Sequence, residues 1–123
     1  MNFQNKKAIY LQIADFVCER ILLSEWKQKE KIPSIRELAI GLEVNPNTVM
    51  RTYNFLEEKN IIEMQRGVGY FVSAKAHKNA VTLKKEEFLT EDLPNIFRSM
   101  DLLNISIDDL KQLYDRRKKH EKK

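Results

Sequence analysis

The 123-residue sequence predicts a mainly α fold with one small β-hairpin. Three observations carry this expectation. Apolar residues recur at helical spacing in three successive segments before residue 60, two β-favouring runs then flank a glycine-bearing tetrapeptide, and helical spacing returns toward the carboxy terminus. The length suits one small domain with an appendage and excludes a large catalytic fold.

The first helix is expected over about 8–24, where Tyr10, Ile13, Ala14, Val17 and Ile21 form one stripe and Phe16 and Leu23 widen it. Cys18 lies beside that stripe and reads as a packing residue, since a nucleophile would need a base. After the polar stretch 25–31, Pro33 disfavours helical geometry at Ile32. Ser34 with Glu37 three residues later then makes a capping-box signature, and Ile35, Leu38, Ala39 and Leu42 supply the apolar face of a short second helix. Asn45-Pro46 opens a third helix, an N-cap followed by proline at the first helical position. Projected over 46–59, that helix turns Val49, Tyr53 and Leu56 inward and Asn47, Arg51 and Asn54 outward, with Thr48 and Phe55 at one edge of the polar face and Met50 at the other. Ile61, Ile62 and Met64, then Tyr70, Phe71 and Val72, frame Arg66-Gly67-Val68-Gly69 as a hairpin whose glycines permit positive φ.

Three helices, the last two joined tightly, followed by a basic glycine-tipped hairpin describe a winged helix-turn-helix, a shape that suits a major groove and the adjacent backbone. The blocks Ile9-Tyr10-Leu11-Gln12-Ile13, Ile32 to Ala39, Val44 to Val49 and Arg66 to Val72 resemble the GntR transcriptional regulators, in particular their YtrA-like subgroup with short carboxy-terminal regions. The resemblance covers residues 9 to 72. It implies contact with double-stranded DNA by Ser34 and Arg36 on the second helix, Asn47, Thr48 and Arg51 on the third, and Arg66 and Gly67 at the wing. An isolated arginine is ordinarily a solvated surface charge, and what distinguishes Arg36, Arg51 and Arg66 is their placement on three elements of one motif. Three positions depart from the family pattern. Glu43 stands where glycine is common, Gln28-Lys29 where Pro-Gly is common, and Met50 where some relatives carry a DNA-contacting arginine.

The division expected is a winged helix-turn-helix DNA-binding domain over 1–73 and a helical dimerisation region with a basic tail over 74–123. In the second part Leu89, Leu93, Ile96, Met100 and Leu103 step by 4, 3, 4 and 3, Phe97 broadens the stripe, and Pro94 should kink or restart the helix. Ser106 with Asp109 offers an N-cap for a final helix bearing Ile107, Leu110, Leu113 and Tyr114 on one side. Leu89, Leu93, Ile96, Phe97, Met100, Leu103, Leu110, Leu113 and Tyr114 are therefore expected at a homodimer interface; the competing arrangement folds both helices back onto their own winged domain.

Charge adds little. The net +4 divides as 10 Lys+Arg against 9 Asp+Glu over 1–73 and 12 against 9 over 74–123, so a DNA-binding face must be a local cluster. One cysteine and two histidines, His77 and His120, give no disulfide and a thin metal-ligand supply; no cofactor or metal is expected. Nor does the sequence show a membrane span or a secretory signal, which leads to the expectation of a cytoplasmic protein. It has no nucleophile–base pair or phosphate loop, so an enzyme is not expected. The function expected is a sequence-specific transcription regulator, a dimeric repressor on a pseudo-palindromic operator, with a winged-helix protein-interaction module as the alternative. No convergent polar cluster identifies a small-molecule effector site.

Overall fold

The computed structural model describes residues 7–121. Three helices, α1 (Ile9–Leu22), α2 (Ile35–Leu42) and α3 (Pro46–Glu58), precede an antiparallel hairpin of β1 (Ile62–Gln65) and β2 (Gly69–Val72). Next come α4 (Ala76–Glu87), a π turn (Phe88–Asp92), α5 (Leu93–Leu103) and α6 (Ile107–Glu121). The chain divides into two compact units, 1–84 and 85–123. Among the described residues no helix is long and apolar enough to cross a membrane.

The first unit is built around α3, which packs on both α1 and α2. Its expected inward residues Val49, Tyr53 and Leu56 are fully buried, and they meet Ile13, Val17 and Ile21 of α1, Leu38 and Ala39 of α2, and Ile61, Ile62 and Val72 of the hairpin in one core. Cys18 is buried there as a packing residue. The core does not end with β2: Ala76 and Ala80 on α4 belong to it, so the compact unit runs beyond the division at 73 drawn from the motif.

The hairpin pairs Ile62 with Val72 and Gln65 with Gly69. Its turn is closed by the Val68 N–H donating to the Gln65 carbonyl at 2.9 Å, with Gly67 at φ +76°, the positive value that the third position of a type II turn requires. The polar stretch before Pro33 holds more structure than its composition suggests. The Lys29 N–H donates to the Val72 carbonyl, the Val72 N–H to Glu30 and the Ile32 N–H to Tyr70, and Lys31 bridges Phe71, so β2 is paired along both edges.

Helix termination is unusual for a chain with three glycines. Ser24, Glu43, Asn60 and Asn104 all adopt left-handed backbone with φ of 55–60° just past a helix. At Glu43 the Val44 N–H reaches the Ala39 carbonyl at 3.0 Å and the Glu43 N–H reaches Ile40 at 3.2 Å, the paired bonds of a Schellman ending. Lys29, in another of the positions that depart from the family pattern, is also left-handed, at φ 67°.

In the second unit, α5 starts at Leu93 with Pro94 in its first turn, the restart expected of the proline, and right-handed backbone leads into it from the preceding turn. Pro94 has no N–H to donate, and its ring would collide with the Thr90 carbonyl of a regular helix; the wider π turn over Phe88–Asp92 relieves both. Ser106 caps α6 as expected, with Oγ accepting from the Asp109 N–H and Asp109 Oδ2 accepting from the Ser106 N–H, both at 3.0 Å. Hydrogen bonds from the Ser106 N–H and then the Ser106 side chain hold the Asp109 carboxyl below its ordinary pKa.

Left-handed backbone at a residue with a Cβ costs about 1 kcal/mol relative to glycine. Glu43→Gly is therefore expected to raise the unfolding free energy by about 1 kcal/mol, measured as a shift in denaturant midpoint at constant slope, whereas Glu43→Ala should leave the midpoint nearly unchanged.

Candidate nucleic-acid interface

The start of α2 is fixed by a complete capping box. Ser34 Oγ accepts the Glu37 N–H at 3.1 Å and Glu37 Oε1 accepts the Ser34 N–H at 2.8 Å. Hydrogen bonds from the Ser34 N–H and then the Ser34 side chain hold the Glu37 carboxyl below its ordinary pKa, so the box forms fully above that ordinary value and loosens as pH falls through the depressed one. Arg36 is exposed on the first turn of α2.

A buried tyrosine ties this corner to α3. The Tyr53 hydroxyl donates to the Pro33 carbonyl at 2.7 Å, immediately before the α2 cap, and its ring meets Tyr70 of β2 edge-on with centroids 4.7 Å apart. Burial, with Tyr70 nearby, pushes the Tyr53 phenol well above its ordinary value of 10, so it remains a donor throughout the neutral range. Burial raises Tyr70 in the same direction.

On α3 the Asn45 side chain accepts the Asn47 N–H at 2.8 Å and Pro46 takes the first helical position, so the expected start is the observed one. Asn47, Arg51 and Asn54 are exposed and Thr48 is partly covered. Arg66 and Gly67 are exposed in the hairpin turn. Arg36 and Arg66 form no ion pair or hydrogen bond among the described residues. Arg20, by contrast, is bonded to both Glu19 and Glu25, and Arg117 to Glu121.

Three features escaped the sequence. Thr52 is fully buried, its hydroxyl donating to the Tyr10 carbonyl at 2.7 Å, which joins α3 to α1. Arg51 is stacked, with Cζ 3.9 Å from the centroid of the Tyr10 ring. Lys31 crosses the wing over Gly69, where an added Cβ would lie 2.9 Å from Lys31 Cε, so the glycine makes room for the lysine stem as well as for its own positive φ. Spacing from Val49 and Leu56 could have pointed to the burial of Thr52, but the partners of all three residues come from distant segments. Among the described residues no group of three His, Cys, Asp or Glu is placed to hold a metal ion.

A helix with an exposed amide and guanidinium face, a capped helix before it and a glycine-tipped hairpin after it define a winged helix-turn-helix of the DNA-binding class. The sequence pattern of the gntR family of bacterial regulatory proteins matches residues 9–72, and the chain belongs to that family of DNA-binding transcription regulators. It is 39% identical over 108 residues to the HTH-type transcriptional regulator YhcF of Bacillus subtilis, covering 88% of each chain. The HTH-type transcriptional repressor YtrA of the same organism is 34% identical over 102 residues, covering 83% of this chain and 78% of YtrA. A GntR-family transcriptional regulator from Bacteroides thetaiotaomicron has a similar structure, with a TM-score of 0.76, 40% identity, and coverage of 93% of this chain and 99% of that one.

Tyr53→Phe keeps the buried ring and removes the bond to Pro33. It should cost about 1 kcal/mol in chemical denaturation at neutral pH. Because folded Tyr53 holds its proton more tightly than the unfolded chain, wild-type stability should fall as pH rises above 10, and a denaturation series there should show a shallower fall for the variant.

Proposed function

We propose that this GntR-family regulator acts as a homodimeric, cytoplasmic repressor that binds a pseudo-palindromic operator. The observation that carries the DNA-binding face is the set of exposed arginines on α2 and at the wing that have no carboxylate partner among the described residues, together with the exposed amino-terminal half of α3. In this reading Asn47, Thr48 and Arg51 address the major groove, Ser34 and Arg36 hold the flanking phosphates, and Arg66 and Gly67 approach the backbone beside the wing. Repression is supported by similarity to the YtrA repressor over most of both chains.

The homodimer reading rests on the second unit. Met100 is buried, but Leu89, Phe97, Leu103, Leu113 and Tyr114 are 49%, 46%, 67%, 56% and 53% exposed. Ile96 is also exposed, and Leu93 and Leu110 are partly covered. So much apolar surface on two short helices favours association, and a second copy offers the same helices in complementary order. Symmetry then sets one α3 in each half-site. Half-site centres should lie about 34–36 Å apart, or further by whole turns.

Selection of bound duplexes from random DNA at two salt concentrations should recover an inverted repeat whose ranking survives the higher salt. Recovery of no preferred sequence would reject specific readout. Arg36→Ala should weaken binding across sequences and lower the salt slope by about 1, while Arg51→Ala should relax preference within the repeat. Light scattering should give the mass of a dimer for the wild type and of a monomer for Phe97→Glu; a monomeric wild type at micromolar concentration would reject the dimer.

A further inference from the structure

Arg51 differs from Arg36 and Arg66 in having its guanidinium already placed. The ring beneath it, Tyr10, is the second residue of α1 and is tied to α3 at two points. Its carbonyl receives the Thr52 hydroxyl at 2.7 Å, and its ring meets the Phe55 ring edge-on at 6.2 Å with an interplanar angle of 80°. Thr52 and Phe55 lie one residue and one turn beyond Arg51 on α3. The platform is therefore fastened to the helix whose side chain it supports.

A guanidinium has two chemically separate surfaces. Its faces stack on aromatic rings, while its five N–H donors point outward in the plane. Stacking on Tyr10 thus occupies a face and leaves the donor edge available. Tyr10 and Arg51 also line one surface depression with Asn47 and Thr48, which sets the platform at the border of the exposed face of α3.

We infer that Tyr10 is a positioning residue for base readout: it fixes the plane of the Arg51 guanidinium so that its fork addresses the O6 and N7 acceptors of a guanine in the major groove. The inference rests on the reading of α3 as the base-contacting helix. Arginine otherwise enters a complex with its full rotamer freedom, and a guanidinium held against a ring has given up part of that freedom before DNA arrives. Phenylalanine preserves the ring face; an aliphatic side chain does not.

The test compares wild type, Tyr10→Phe, Tyr10→Leu, Arg51→Ala and the Tyr10→Leu/Arg51→Ala double variant on the selected operator and on copies with each G·C pair replaced in turn. Tyr10→Phe should bind within about twofold of wild type, and Tyr10→Leu about three- to tenfold more weakly. Discrimination should fall at the same G·C pair for Tyr10→Leu and Arg51→Ala, and Tyr10→Leu should have no further effect once Arg51 is gone. An equal loss from Tyr10→Leu with and without Arg51, or unchanged discrimination in Tyr10→Leu, overturns the positioning role while leaving α3 as the reading helix. If Arg51→Ala alone changes neither affinity nor preference, the base-reading assignment of Arg51 fails first and the role of Tyr10 with it. Circular dichroism melts accompany every variant, and Tyr10→Met, which also lacks the ring, replaces Tyr10→Leu if the latter unfolds.

Discussion

Helix α3 has to serve two surfaces at once, and the winged unit is arranged around that requirement. Val49, Thr52, Tyr53 and Leu56 bury one side completely, while Asn47, Arg51 and Asn54 stay in solvent on the other. Two buried hydroxyls fix how the helix sits. Thr52 ties it to α1 through the Tyr10 carbonyl, and Tyr53 ties it to the Pro33 carbonyl at the entrance to α2. A buried polar group left without its partner is costly, so these bonds select one seating of the helix where apolar packing alone would tolerate several. The direction of the polar face is thereby inherited from the core.

Local chemistry made much of this legible beforehand. The Ser34–Glu37 box, Asn45-Pro46, the inward stripe of α3 and the glycine-tipped hairpin each depend on residues within a few positions of one another, and each appears where spacing placed it. The pairing of residues 29–32 along β2 depends on partners some 40 residues away in sequence and carries no apolar alternation to announce it. Thr52 lies on the inward side of α3 by spacing, but its acceptor comes from α1. Pro94 correctly signals a disturbed helix, but whether the backbone breaks or widens is decided by the geometry of the whole turn. For the candidate interface, the exposure of Asn47 and Arg51 followed from periodicity, whereas the stacking of Arg51 on Tyr10 did not.

The two units solve the small-domain problem differently. The winged unit closes a core from four helices and a hairpin, with side chains from Ile13 to Ala80. The carboxy-terminal unit has too few residues to surround its own apolar stripe: Met100 is buried, and most of its large apolar side chains remain in contact with water. Below about 40 residues a folded unit usually requires association, a disulfide or a metal to offset its lost chain entropy, and the single cysteine, Cys18, lies in the other unit.

The left-handed backbone at Glu43 bears on what keeps α2 and α3 two helices. Without glycine, nothing in the residue itself prefers that conformation, and its intrinsic tendency is to continue α2. The ending is held from outside: Val44 packs against the core and sends its N–H back to Ala39, while Pro46 obstructs helical geometry at Asn45. Continuing α2 through this position would carry Val44 out of its seat before the proline stopped it. The turn in this helix-turn-helix is thus a property of the packed core, and a loosened core would be felt first as an altered bend between the two helices.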